Sequence, residues 1–293
     1  MQKTIYSWLI LLISLSLSAQ LPTTNIVVLD MSINGADEVM LSDPTFATSF
    51  NKSGYNNQPF FVSDDELLIT SNYDALGLTD VYKLKLGSQK LSRITATEES
   101  EYSPVKYKKD KYSVVRQELD DSQPVPQTLW SYPTDQKSFG ERLLDRYDNI
   151  GYYEWLPNDQ IALFLVGDPH KLILVDLASN RETFVSYNVG RALKYDGKGG
   201  LYYVQKLGSS WTIRKQDLED DISKYIVNTL KESEDFEVLP NGALISAQGS
   251  KLYSYHPNTG RQWVEIMDLA PYGIDKITRI AAHDKKLAIV ISE

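Results

Sequence analysis

The chain has 293 residues, 42% hydrophobic and 24% charged, with no cysteine and a formal net charge of −9 at pH 7. That is enough apolar material for one packed domain, while the lack of cysteine excludes disulfides, thiolate-held zinc, a thiol nucleophile and a lipid anchor attached through cysteine. The acidic balance repels phosphate backbones and anionic membrane surfaces, so no nucleic-acid partner is expected.

Residues 1–19 carry one basic residue, Lys3, then an apolar run over 8–15 and the small residues Ser16, Ser18 and Ala19. This is the pattern of a secretory signal peptide cut after Ser18 or Ala19. The run is shorter than the roughly 20 residues of a bilayer span. No later stretch is apolar enough to cross a membrane. The expected product is an exported, soluble domain over 20–293, periplasmic or extracellular.

Two strand-like runs follow, 25–31 and 38–41, without an obvious partner beside them. From residue 58 a repeat takes over: an apolar strand, a tight polar turn, a second strand, a looser loop, then a third and a fourth strand. Its turns are Ser63-Asp64-Asp65, Lys108-Lys109-Asp110, Pro157-Asn158-Asp159, Asp196-Gly197-Lys198-Gly199, Pro240-Asn241-Gly242 and His283-Asp284-Lys285, at intervals of 39 to 49 residues. That period fits the four-stranded blade of a β-propeller. The spacing predicts blade one at 58–62, 66–71, 79–84 and 91–95, and blade two at 103–107, 112–115, 128–132 and 141–144. Blade three is predicted at 152–155, 161–165, 172–177 and 182–185, and blade four at 192–195, 201–204, 211–214 and a segment near 225–230. In that last segment Ile222, Tyr225, Ile226 and Leu230 also have helical spacing after Asp221, and the repeat decides for a strand. Blade five is predicted at 236–239, 243–246, 251–255 and 262–266. Blade six has only 277–281 and 287–291 before the chain stops. The missing pair is the unpartnered amino-terminal one, so residues 25–42 and 274–293 together close a six-bladed, all-β ring and cover its edges.

The run from Tyr55 through Asn56, Asn57, Gln58, Pro59, Phe60, Phe61, Val62, Ser63, Asp64, Asp65, Glu66, Leu67, Leu68, Ile69 and Thr70 to Ser71, with Asp80-Val81-Tyr82 after it, resembles the WD40-like PD40 repeat of TolB-type six-bladed propellers. That pattern is roughly N-x-x-P-x-W-S-P-D-G-K-x-I-x-F-x-S, then D-I-Y and a closing L-T. Phe61 stands where the family has Trp, and Asp65 where it often has Gly. Blade one carries the motif well, blade two less so, and the other four follow it mainly in period. The resemblance implies a propeller of a Gram-negative envelope that binds something on one face. No segment is left for the separate amino-terminal domain of TolB itself, so a place in the Tol-Pal system is not expected.

No nucleophile elbow, zinc-protease helix, P-loop or EF-hand loop is present, and no catalytic residue is assigned. The three histidines, His170, His256 and His283, fall in loops or turns and read as solvated. Asp64-Asp65-Glu66, Asp120-Asp121 and Glu219-Asp220-Asp221 have the oxygen chemistry that Ca²⁺ takes, but turn chemistry explains them equally well. Gluconolactonase-like propellers hold a divalent metal in the channel with carboxylates and an Asn. By that analogy Glu154 and Glu237, near Asn158 and Asn241, are the metal candidates. Loops entering the inner strands line one mouth of a propeller, and here they carry Tyr55, Asn56, Asn57, Glu101, Tyr102, Tyr152, Arg191, Asp235 and Tyr272. Aromatic bodies with polar tips suit recognition at a wet surface. The expectation is a monomeric, non-catalytic propeller that needs no cofactor and binds a protein or peptide at Tyr55, Asn57, Tyr102, Tyr152, Arg191, Asp235 and Tyr272. The alternatives are a metal-dependent lactonase-like or lyase-like enzyme using the central channel and a glycan-binding module using the same tyrosines.

Overall fold

Short polar turns return each apolar run onto the one before it, and the result in the computed structural model is six antiparallel sheets of four strands. The structure describes residues 21–292 apart from 35–37, 75–76, 120–124 and 136–138. The expected signal peptide and the pair Asp120-Asp121 lie outside the described residues.

The chain opens with β1 (Thr24–Asn34) and β2 (Glu38–Phe46). Blade one is β3 (Asn56–Ser63), β4 (Glu66–Ser71), β5 (Asp80–Lys85) and β6 (Lys90–Arg93). Blade two is β7 (Ser100–Tyr107), β8 (Lys111–Gln117), β9 (Gln127–Pro133) and the short β10 (Glu141–Arg142). Blade three follows as β11 (Ile150–Leu156), β12 (Gln160–Leu165), β13 (Lys171–Asp176) and β14 (Glu182–Tyr187). Blade four is β15 (Val189–Tyr195), β16 (Gly200–Leu207), β17 (Ser210–Asp217) and β18 (Ser223–Asn228). Blade five is β19 (Phe236–Val238), β20 (Leu244–Gln248), β21 (Lys251–Tyr255) and β22 (Val264–Asp268). The last strands, β23 (Ile277–His283) and β24 (Lys286–Ser292), join the first two in the order β2-β1-β24-β23, so the closing blade is drawn from both ends of the chain.

The turns work as their residues predict. Ser63 Oγ accepts from the backbone N–H of Asp65 (3.3 Å) and Glu66 (3.2 Å). Asn158 and Asp159 take left-handed φ values of 58° and 53°, which their short polar side chains tolerate. The segment with helical spacing is strand: Tyr225 pairs with Arg214 across β17 and β18, and its side chain faces outward. One prediction is shortened. The run 141–144 is strand only over Glu141–Arg142: Leu143 N–H still bonds to Leu129 O of β9, and Leu144 then turns inward, 6% exposed.

The core is a ring of six apolar wedges, one between each pair of neighbouring blades. β1 shows the principle most clearly. Ile26 and Val28 pack toward Phe61, Leu67 and Ile69 of blade one, whereas Val27, Leu29 and Met31 pack toward Ile245, Leu252 and Leu269 of blade five. A strand buried on both faces reads as a continuous apolar run rather than an alternating one, as 26–29 does.

Candidate site in the central channel

Each inner strand turns one unpaired edge toward the axis, where its N–H groups need acceptors. Pro59 and Pro104 are tolerated on such an edge because no ladder bond is lost there. Side chains of the preceding blade supply acceptors for others. Ser103 N donates to Gln58 Oε1 (2.9 Å), Tyr195 N to Glu154 Oε1 (3.3 Å), Ile280 N to Asp235 Oδ1 (2.9 Å) and Ala282 N to Glu237 Oε2 (3.4 Å). Register shifts recur in the inner strands, between Asn57 and Phe60, Tyr102 and Val105, Ile150 and Tyr152, Val189 and Leu193, and Ile277 and Arg279. Such bulges re-aim side chains, and here they bring polar groups to the axis.

The channel encloses about 260 Å³ and is lined by Tyr152, Glu154, Arg191, Lys194, Asp235, Glu237 and Arg279 among others. A second hollow of about 510 Å³, between blades five and six, shares Arg191, Asp235, Arg279 and Ile280 with it. At the mouth, burial holds the Tyr55 hydroxyl far above its ordinary pKa, and Arg279, Tyr152, Tyr102 and Arg191 are its electrostatic neighbours. Arg279 Nη2 donates to Tyr152 Oη at 2.8 Å, with the guanidinium carbon 5.2 Å from the ring centroid. Arg191 Nη2 donates to Thr278 O (2.8 Å), and the same guanidinium meets Glu234 (3.4 Å) and Asp235 (3.5 Å).

Elsewhere in the channel Lys194 Nζ lies 2.6 Å from Glu237 Oε2. Burial works against the ammonium, but Glu237 and Glu154 outweigh it and keep the lysine pKa above its ordinary value. Burial pushes the Glu154 carboxyl up to about 7, Lys194 and the Tyr195 N–H oppose this, and Glu237 adds to it.

Of the seven predicted mouth residues, Tyr152, Arg191 and Asp235 line the channel, and Tyr55 and Tyr102 lie near them without lining either hollow. Asn57 does not join them. It is 7% exposed, and its Oδ1 accepts from Gln58 N while its Nδ2 faces Thr24 Oγ1, on the seam between blades six and one. Tyr272 does not either, because the loop before β23 forms a short 3-10 turn (Ala270–Tyr272) that leaves it half exposed and outside both hollows. Asn56 and Glu101 are fully buried. Asn56 bonds to Thr24 O and Asn51 O, and Glu101 accepts from Thr97 Oγ1. Arg279 and Lys194 escaped the sequence reading. For Arg279 the available signal was a single arginine in the largely apolar innermost strand β23, whereas Lys194 shares β15 with Arg191 and carries no such mark.

The metal candidates fit a cation poorly. Glu237 pairs with the Lys194 ammonium (2.6 Å), which also acts electrostatically on Glu154, Asn241 Oδ1 caps Ala243 N in its own turn (3.1 Å), and Asn158 sits in its own left-handed turn. No group of three or more His, Asp or Glu side chains is arranged to hold a metal among the described residues. In the acidic turns, Asp64 Oδ1 meets His283 Nδ1 (2.9 Å) and Asp65 Oδ1 accepts from Gly87 N (2.7 Å). Asp221 Oδ1 accepts from Gln216 Nε2 (2.8 Å). His256 Nδ1 accepts from Asn258 N (3.2 Å), and His170 Nδ1 from Gly167 N (3.3 Å). The expected result of adding Ca²⁺, Mg²⁺, Mn²⁺ or Zn²⁺ to EDTA-treated protein is a melting temperature unchanged within about 1 °C. A channel metal at a hundredfold excess over its Kd would add about 3 kcal/mol, and a shift of several degrees would reverse this reading of the channel.

No family model and no curated protein matches the sequence. Solved structures do resemble the fold. A TolB candidate from Agrobacterium tumefaciens aligns at TM-score 0.63 and 11% identity over 93% of this chain and 99% of that one. TolB from Acinetobacter baumannii aligns at TM-score 0.56 and 11% identity, covering 92% of this chain and 64% of its own. An oligogalacturonate lyase in complex with manganese aligns at TM-score 0.51 and 10% identity, over 93% and 98%. At these identities the likeness shows the fold alone: a six-bladed propeller resembling TolB. No helix among the described residues is long and apolar enough to cross a membrane.

Proposed function

We propose that this chain is an exported, non-catalytic propeller of the cell envelope that takes a protein or peptide partner at the channel mouth, with repeats of the PD40 type. The convergence of Tyr152, Arg191 and Arg279 on the channel, with Tyr55 and Tyr102 close behind them, carries this reading. Tyrosine and arginine offer large contact areas with polar tips at small entropic cost, and they dominate the energetics of protein interfaces. The aligned TolB structures support it at the level of fold.

The paired variant Tyr102→Ala with Tyr152→Ala tests it. In affinity capture from an envelope extract, the wild-type chain is expected to retain a partner that the paired variant loses by about 30-fold, the effect of roughly 2 kcal/mol at a binding hot spot. Tyr225→Ala, on the exposed outer strand of blade four, should leave capture unchanged. Equal retention by all three proteins, each with a native melting curve, would place the interaction elsewhere on the molecule.

A further inference from the structure

Three lysine and arginine side chains line the channel, and two of them have carboxylate partners. Arg191 is matched by Glu234 and Asp235, and Lys194 by Glu237. Arg279 has no carboxylate within ion-pair distance among the described residues. The nearby Asp235 is committed to Arg191 and to the Ile280 N–H, and Glu234 is shared between Arg191 and Lys206. A guanidinium carries five N–H donors, yet the hydrogen bond to Tyr152 Oη is the one Arg279 makes among the described residues. Its other nitrogens are not among the sealed, unsatisfied atoms of the interior, so they face open space. That space is the junction of the channel and the hollow between blades five and six, both of which Arg279 lines.

Tyr152 adds the second half of the device. Its oxygen accepts from Arg279, which leaves the hydroxyl hydrogen to donate, and no acceptor takes it among the described residues. A charged fork and a hydroxyl donor thus point at one place, and no acidic side chain answers them. We propose that this place binds a carboxylate of the ligand, held by Arg279 and Tyr152, with the rest of the ligand running out through the hollow between blades five and six. A planar, singly charged carboxylate matches the guanidinium fork. A phosphate dianion does not match as well, because the neighbouring cations are already neutralised and Asp235 lies close by. The inference rests on the mouth being the binding face and deepens it by naming the ligand chemistry. The carboxylate can come from a peptide, through its terminus or an Asp or Glu side chain, or from an acidic sugar.

The test uses the mature chain with four probes: a random hexapeptide pool free of Asp and Glu with free C-termini, the same pool amidated, an amidated pool with one fixed Asp, and galacturonate. Binding is read by equilibrium dialysis with mass spectrometry and by thermal shift. The two carboxylate-bearing pools are expected to be retained at least about tenfold over the neutral amidated pool, as a charge-assisted bidentate contact requires. Arg279→Gln should abolish the difference and Arg279→Lys restore part of it, with melting curves confirming that both variants fold. Retention of all peptide pools alike, or a preference unaffected by Arg279→Gln, would overturn the carboxylate site while leaving a peptide-binding mouth in place. If galacturonate binds through Arg279 and no peptide does, the carboxylate site stands and the peptide reading falls. Binding of none of the four would overturn both.

Discussion

A chain lacking residues 24–46 is expected not to reach a stable monomeric fold, appearing in inclusion bodies or as soluble aggregate. The deletion removes β1 and β2, and β1 does more than complete one sheet. It pairs with β2 on one edge and β24 on the other, and it feeds two of the six apolar wedges, with Ile26 and Val28 in one and Val27, Leu29 and Met31 in the other. Without it β24 becomes an open edge bearing apolar residues on both faces, a ready template for pairing with a second chain. A milder variant grades the same claim. Leu29 is fully buried, so Leu29→Ala should cost about 2–5 kcal/mol in urea unfolding, the usual range for a buried leucine truncated to alanine. A truncated protein that stays monomeric in size-exclusion chromatography and unfolds cooperatively at the wild-type temperature would show that five blades and a half suffice.

The second large effect is expected at Lys194. In Lys194→Met the carboxyl groups of Glu154 and Glu237 keep their burial and lose the ammonium that pairs with Glu237 and acts electrostatically on Glu154. Removing one partner of a buried ion pair typically costs about 3–5 kcal/mol, and the lower end applies here because a quarter of the lysine side chain reaches solvent. The loss should depend on pH with a defined sign. Glu154 already binds its proton more tightly in the folded chain than in the unfolded one, with a pKa raised from 4.5 to about 7. Its contribution therefore becomes more favourable as pH falls from about 7 toward 4.5. Without Lys194 the folded-state pKa rises further, so the deficit of Lys194→Met is largest above pH 7 and shrinks toward pH 5. Urea unfolding at pH 8.0 and 5.5 reads this directly. A deficit that is the same at both values, or larger in acid, would mean that the lysine acts by packing alone. Adding Glu237→Gln to Lys194→Met should recover part of the loss at pH 8.0.

Both effects trace to features of different visibility in the sequence. The blade period was legible because each blade repeats the same physical problem: four short strands, a polar turn after the first, and apolar residues facing the blade on either side. Closure by the ends was legible as arithmetic, two strands lacking at one end and two spare at the other. Part of the channel lining was legible: Tyr152, Arg191 and Asp235 reach it, from at or near the start of the inner strands rather than from long loops, with Tyr55 and Tyr102 close behind. Asn57, in β3, and Tyr272 went elsewhere, one to the seam with Thr24, the other to a surface 3-10 turn.

What the sequence determined by itself is the architecture, because strand, turn and repeat are set by local chemistry and by the need to bury each face of every blade. What only the tertiary structure decided is which inner-strand side chains reach the axis and what they meet. Alternation predicts facing with a period of two, and a bulge in the inner strand resets that period without leaving a mark in composition. Arg279 and Lys194 are ordinary cations in the sequence. Their difference, one lining open space beside a tyrosine and one paired with Glu237 near Glu154, is created by residues from other blades, and only the closed ring brings those blades together.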